Sequence, residues 1–122
     1  MANAINWFEI PASNFDRAVK FYATILEIEM HTTVMGGTDM GFFPGEPGSV
    51  SGAVVHGEGY DPCDKGTLVY LNGGDDLNNV LSKIEAAGGK VILSKTQITP
   101  EYGFFALFLD TEGNKMALHS MK

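Results

Sequence analysis

The chain repeats itself at close to half its length, and this repeat constrains the fold more than any other feature. When the sequence is shifted by 62 residues, an N-cap residue and the apolar stripe of an amphipathic helix coincide, so that Asn14 to Tyr22 falls on Asp76 to Ile84. The same shift places the triplet Gly41-Phe42-Phe43 on Gly103-Phe104-Phe105. Because two separate segments share one shift, the sequence predicts two copies of one supersecondary unit.

Each copy has the pattern strand, helix and three further strands. The cap residue Asn14 predicts a helix as far as Leu26, and Asp76 predicts a second helix as far as Ala87. Runs rich in β-branched and aromatic residues predict strands over 5–11, 28–34, 40–43, 50–55, 67–71, 91–96, 104–109 and 115–121. With 122 residues, the chain has room for one α+β domain, divided into module one (1–56), a linker (57–65) and module two (66–122).

A helix on one face of each four-stranded sheet leaves the other face uncovered. We expect two such βαβββ modules, side by side, to form a half-barrel sheet with a concave cleft for a small molecule. In the first strand, alternation sends Trp7 and Glu9 into the cleft, and in the last strand it sends Ala117 and His119 there. These four residues are the predicted ligand-binding residues, and no residue is assigned a catalytic role.

Charge and composition exclude several classes of partner. A formal charge of −7 repels nucleic acid and anionic membrane surfaces. The longest apolar run, Phe104 to Leu109, is six residues, and the first residues lack the pattern of a leader peptide. The single cysteine, Cys63, excludes an internal disulfide. We therefore predict a cytoplasmic protein with neither nucleic acid nor membrane as partner.

Three segments carry a resemblance to a known family. WFEIPASNFDRAVKFYATIL, the internal AAGGKV and GFFALFLDTEGNKMALHS resemble the glyoxalase/bleomycin-resistance proteins of the vicinal oxygen chelate superfamily. The resemblance covers nearly the whole chain and implies paired βαβββ modules, a homodimer and, in many members, a divalent metal that chelates vicinal oxygens of a substrate. Other members bind small molecules without a catalytic metal.

The positions that the resemblance assigns to metal ligands hold the wrong residue types. They are Trp7 in the first strand, a residue among 67–69, the neighbourhood of Ala53, and Ala117 in the last strand. None of these offers an imidazole or carboxylate. We therefore predict no metal at the family's site and no cofactor. The resemblance also implies glycine after FYxxxL, where this chain has Glu27, so we expect the first helix to end without a left-handed cap.

Other polar residues have plausible roles that the sequence leaves open. Glu9 and His119 are candidates for proton transfer, for orienting a ligand or for holding a metal away from the family's usual positions. The simpler alternative is a hydrogen-bonded or solvated pair, or no pair at all. Trp7 would either stack on a ligand or fill the cleft. Arg17 is expected to pair with a carboxylate of a neighbouring loop, away from the cleft. His56 and Cys63 are expected in a solvated loop, and His31 on a surface strand.

The sequence thus favours a protein that binds a small molecule without the family's usual metal. Two alternatives remain. One is a lyase, isomerase or dioxygenase-type enzyme acting on a small oxygenated substrate. The other is a protein-association module, because the segment 104–109 is apolar on both faces and should be covered by a partner chain.

Overall fold

A computed structural model describes residues 3–122 of the chain and contains two four-stranded sheets and two helices. The elements are β1 (Trp7–Pro11), α1 (Phe15–Leu26), β2 (His31–Met35), β3 (Thr38–Phe42), β4 (Ser51–His56), β5 (Tyr70–Asn72), α2 (Leu77–Ile84), β6 (Lys90–Thr99), β7 (Gly103–Leu109) and β8 (Lys115–Ser120). The sheet orders are β1-β4-β3-β2 and β5-β8-β7-β6, so both sheets have the same topology. This confirms the α+β fold of two tandem βαβββ modules.

Both helices begin at the predicted cap residues. The side chain of Asn14 accepts a hydrogen bond from the Arg17 amide at 3.1 Å, and that of Asp76 accepts one from the Asn78 amide at 2.9 Å. Each bond satisfies an amide that the first helical turn leaves without an intrahelical partner. The buried stripe of α1 consists of Ala18, Phe21, Tyr22 and Ile25. Its spacing matches the amphipathic pattern that predicted the helix.

The end of α1 differs from the expectation. Glu27 itself adopts the left-handed conformation, with φ 53° and ψ 50°, and is the sole non-glycine residue with positive φ among residues 3–122. Its amide donates to the carbonyl of Ala23. The prediction that the helix ends without a left-handed cap was therefore wrong. Glu27 adopts the geometry that glycine would adopt, and so satisfies the Ala23 carbonyl, at some steric cost for a residue with a Cβ.

The parallel strand pair of each module ends in the same hydrogen bond. The Ala12 amide donates to the Val55 carbonyl at 2.8 Å, and the Gly73 amide donates to the His119 carbonyl at 2.7 Å. These two bonds follow β1 and β5 respectively, so they fix which residues of the two modules occupy equivalent places. The internal repeat is therefore visible in the backbone itself.

The matching triplets, however, are not equivalent in the fold. Gly41 pairs with Val54, whose equivalent in module two is Leu118. Leu118 pairs with Ala106 and not with Gly103. The triplet match was wrong by three residues. The true equivalents, Gly41 and Ala106, are both buried on the helix side of their sheets. A small residue is needed at Gly41 because a Cβ there would lie 2.8 Å from a methyl group of a helix residue.

The two modules meet through their helices and share one hydrophobic core. Phe21 of α1 packs on Phe108 of β7, with 6.0 Å between the ring centroids. Its ring also lies so close to Gly89 that a Cβ at that glycine would be 2.8 Å away. This close approach gives the glycine pair in AAGGKV a packing role. Among residues 3–122, no helix is long and apolar enough to cross a membrane.

Candidate functional site

Each sheet has one face against the helices and one open face. In β1, Ile10 is buried against the helices, whereas Trp7 is 44% exposed and Glu9 is exposed. Trp7 and Glu9 therefore lie on the open face, as alternation predicted. Phe42 of β3 lies opposite Ala53, which in turn lies opposite Glu9, so it shares this face.

Trp7 and Glu9 contact each other directly. The Trp7 indole Nε1 donates to the Glu9 carboxylate at 3.3 Å, and the Trp7 and Phe42 ring centroids lie 6.0 Å apart. The charge of Glu9, followed by its hydrogen bonding, raises the pKa of Tyr60, which places this linker residue beside the same carboxylate. Glu9 thus lies among three aromatic side chains on the open face of sheet one.

The open face of sheet two holds the other two predicted residues. Ala117 is fully buried, and His119 is half-buried two residues further along β8. His119 Nε2 lies 2.6 Å from the Tyr102 carbonyl oxygen. Because a carbonyl oxygen only accepts, this bond places the hydrogen on Nε2 and leaves Nδ1 as the acceptor of the neutral ring. Tyr70, opposite Ala117 and 52% exposed, lies on the same face.

The chain brings the predicted residues together in two pairs rather than as one group. Trp7 and Glu9 belong to sheet one, whereas Ala117 and His119 belong to sheet two. Within the described part of the chain, residues 3–122, no hydrogen bond joins the two pairs. A depression of about 700 Å³ borders His119 on its own sheet, beside Tyr70 and Asn72.

Sequence reasoning missed several aromatic residues of the open faces, among them Tyr70, Phe42 and Tyr60. Tyr70 had a usable signal, because it lies opposite Ala117 and shares its face. Phe42 was assigned to a strand, but the wrong triplet register gave it no face. Tyr60 lies in the linker, where no periodicity exists to place a side chain.

The residues at the family's metal positions do not fit a metal. The side chains of Ala53 and Ala117 are fully buried and carry no donor atom, and Trp7 offers only an indole N–H donor. Glu9 pairs with Ala53 in module one, and Tyr70 pairs with Ala117 in module two, so Glu9 and Tyr70 are equivalent. The residue two positions earlier is Trp7 in module one and Leu68 in module two. Across residues 3–122, no three His, Cys, Asp or Glu side chains come close enough to hold a metal ion.

The motif residues that carry the family resemblance form a contact between the modules. We call this contact the clasp, made of Arg17, Tyr22, Asp110, Glu112 and Asn114. Arg17 Nε lies 2.7 Å from one Glu112 oxygen, and its Nη2 lies 3.1 Å from the other. The Glu112 carboxylate also accepts from the amides of residues 13 and 14 at the start of α1. The prediction that Arg17 pairs with a loop carboxylate is confirmed.

The second half of the clasp is buried. The Tyr22 hydroxyl donates to Asp110 at 2.6 Å, and the Asn114 amide group donates to Asp110 and to the Pro11 carbonyl. Burial, together with the neighbouring Asp110 charge, holds the pKa of Tyr22 well above its usual value. For Glu112, burial opposes ionisation, but the hydrogen bonds from Arg17 and from the helix start outweigh it and lower the pKa.

The remaining polar candidates have structural contacts or none. His56 is the last residue of β4 and is half-buried, so the expectation of a solvated loop was wrong for this residue. Its Nδ1 lies 2.8 Å from the Ala12 carbonyl, and the amide of the exposed Cys63 donates to Asn114. His31 is exposed on β2, an edge strand, as predicted. Since these contacts tie His56 and Cys63 to the backbone framework, they define no candidate site in the linker.

Residues 4–118 match the sequence model of the Glyoxalase/Bleomycin resistance protein/Dioxygenase superfamily. The chain belongs to this superfamily. A "Glyoxylase-like domain-containing protein" from Didymella fabae is 30% identical over 119 residues, which cover 93% of this chain and 91% of that protein. The family resemblance is therefore confirmed.

Solved structures of superfamily members share the fold at low sequence identity. The glyoxylase/bleomycin resistance protein/dioxygenase domain from Frankia sp. EAN1pec has a TM-score of 0.72 at 14% identity and covers 98% of each chain. Glyoxalase I from Zea mays has a TM-score of 0.69 at 18% identity. The match spans 94% of this chain but 43% of the maize chain. These likenesses concern the fold.

Proposed function

We propose that the protein binds a small organic molecule on the open faces of its sheets, without the metal site of the superfamily. The observation that carries the proposal is Trp7, a large flat side chain that remains 44% exposed where the superfamily's first ligand would stand. An exposed indole beside a carboxylate gives a surface on which a ring can stack and a polar group that fixes its orientation.

The proposed site is completed by a second copy of the chain. The two residue pairs lie on separate sheets, and among residues 3–122 the outer sides of the edge strands β1 and β5 pair with no other strand. Both open faces also expose apolar surface, including Trp7, Tyr70 and Leu93. A homodimer that sets sheet one of one protomer beside sheet two of its partner would cover these edges and bring the two pairs into one cleft.

A direct test is a titration with metals and a ligand screen in parallel. We expect calorimetry with Zn²⁺, Ni²⁺, Mn²⁺ or Fe²⁺ to show no cleft binding tighter than about 10 µM, because two donors rarely hold a divalent ion strongly. We expect a library of small aromatic compounds to contain ligands that quench Trp7, the single tryptophan. Submicromolar metal binding that is lost in His119→Ala would contradict the proposal.

One observation favours an enzymatic alternative. The bond to the Tyr102 carbonyl leaves His119 Nδ1 free to accept a proton, which is the state that a general base requires. In that case His119→Ala would abolish turnover of a bound oxygenated compound while binding persists. Absence of any ligand quenching, together with a stable complex with another protein, would instead favour the association module.

A further inference from the structure

Glu9 is a carboxylate without a cation. Within residues 3–122, the ion pairs use Glu27, Asp64, Asp76 and Glu112, and none includes Glu9. Glu9 accepts a hydrogen bond from the Trp7 indole N–H and lies beside the Tyr60 hydroxyl, and both of these groups are neutral. Its negative charge on the open face of sheet one is therefore left uncompensated by the protein.

The groups around Glu9 are aromatic. Trp7 and Phe42 lie tilted to each other with centroids 6.0 Å apart, and Tyr60 lies close enough for its hydroxyl to feel the charge of Glu9. The strand partner of Glu9 is the small apolar residue Ala53, which offers no polar group to the carboxylate. A cation at such a place is attracted by the charge of the carboxylate and, in addition, by the quadrupoles of the rings.

A metal ion does not satisfy this arrangement. One carboxylate supplies a single ligand group, and the rings offer no lone pair that a hard or borderline divalent ion prefers. A substituted ammonium group does satisfy it, because the carboxylate and the ring faces attract its charge and its apolar substituents pack on the rings. Hydration of the cation weakens as the number of carbon substituents rises, so quaternary ammonium groups fit best. The net charge of −7 also favours a cation at long range.

We propose that the open face of sheet one selects organic cations, namely amines and quaternary ammonium compounds attached to an aromatic or apolar body. This inference rests on the proposed function and names the ligand class for the same site. Glu9 would contact the charged group, Trp7 and Phe42 would pack against it, and the apolar body would extend toward the partner's sheet two.

The experiment compares three probes of similar size by Trp7 fluorescence, namely benzyltrimethylammonium, its uncharged analogue neopentylbenzene, and benzenesulfonate. We expect the cation to bind at least about 10-fold more tightly than the uncharged probe, which in turn binds more tightly than the anion. Glu9→Gln should remove most of the preference for the cation. Glu46→Gln, which changes net charge equally on an exposed loop, should leave that preference unchanged.

Each outcome decides between the two proposals. Equal binding of the cation and the uncharged probe, with Trp7 quenched by both, would overturn the cation inference and leave small-molecule binding standing. An unchanged preference in Glu9→Gln would likewise overturn it, because the selectivity would then come from elsewhere. Failure of all three probes would overturn the inference, and the broad ligand screen would then decide the proposed function independently. Circular dichroism of Glu9→Gln verifies that the variant is folded.

Discussion

The two junctions between the modules occupy equivalent places in the repeated fold but have opposite character. At the first, the turn between β7 and β8 closes on the start of α1 through the clasp. At the second, the loop 43–50 between β3 and β4 faces the start of α2 and leaves an apolar groove of about 1010 Å³, lined in part by Phe43, Val50, Gly73 and Asn79.

Three of the five clasp residues have counterparts that cannot make the same contact. From the matched helix caps, Asn79 takes the place of Arg17, and Ile84 that of Tyr22. From the matched strands β4 and β8, Val50 takes the place of Asn114. The repeat therefore preserves the scaffold, whereas the polar contacts that join the modules belong to one junction. The motif residues that identify the superfamily are, in this chain, structural.

The largest difference between the junctions should appear on truncating Phe21, which packs on Phe108 and over Gly89. Phe21→Ala should lower the free energy of unfolding by about 3 to 5 kcal/mol, since it removes a buried ring and leaves a cavity. Val50→Ala, at the groove, should change it by less than about 0.5 kcal/mol because Val50 is already 39% exposed. Urea denaturation at one protein concentration measures both, and similar losses would contradict the comparison.

Removal of the Tyr22 hydroxyl should have a smaller effect on the same junction. Tyr22→Phe leaves a buried Asp110 oxygen with one hydrogen bond fewer and should lower stability by about 1 to 2 kcal/mol. Tyr70→Phe makes the same chemical change on the open face, where water satisfies the hydroxyl, and should alter stability by less than about 0.5 kcal/mol. Thermal unfolding compares the pair, and a neutral Tyr22→Phe would show that this bond contributes nothing.

Acid should weaken the clasp through Glu112. Its pKa is lower in the folded state than in the unfolded state, so the unfolded state binds more protons as the pH falls. The contribution is complete above the unfolded pKa and is lost as the pH falls through the folded pKa. The urea midpoint should therefore decrease between pH 6 and pH 3, and less steeply in Glu112→Gln. Glu46→Gln, in the loop of the open junction, should retain the wild-type slope.

The smallest effect is expected at Glu27, which lines the groove. Glu27→Gly should raise stability by about 0.5 kcal/mol, because glycine adopts φ 53° without a Cβ clash. This gain is reduced by loss of the exposed ion pair with Lys83, whose Nζ lies 3.1 Å from the Glu27 carboxylate. Glu27→Gln keeps the strain and loses the pair, so it should be slightly less stable than wild type. A Glu27→Gly protein that is less stable than Glu27→Gln would contradict this account of the cap.

The elements of the fold could be predicted because their signals are local. Asn14 and Asp76 cap helices through their own side chains, and alternation in β1 correctly placed Trp7 and Glu9 on the open face. The triplet register could not be found this way, since Gly41 lies 27 residues after Asn14, whereas its equivalent Ala106 lies 30 residues after Asp76. A constant shift cannot cross segments of unequal length.

The candidate site was predicted less completely, for a different reason. Arg17 could be expected to pair with a carboxylate because it is a cation on a helix next to a loop. The identity of that carboxylate, Glu112, depends on how the modules pack against each other. Tyr60 likewise reaches Glu9 through the path of the linker. Such contacts are set by tertiary packing, to which neither periodicity nor capping in a single sequence is sensitive.

The clasp stabilises the fold, whereas the open face is proposed to bind a ligand. One matched pair of variants separates these two roles. Glu112→Gln and Glu9→Gln make the same chemical change. The Glu112 side chain is fully buried and pairs with Arg17, whereas Glu9 is exposed and has no cationic partner among residues 3–122. Urea unfolding should show a loss of about 2 to 3 kcal/mol for Glu112→Gln and less than about 0.5 kcal/mol for Glu9→Gln. A Glu112→Gln protein as stable as wild type, or a larger loss in Glu9→Gln, would contradict the assignment of the motif residues to structure and of the open face to ligand binding.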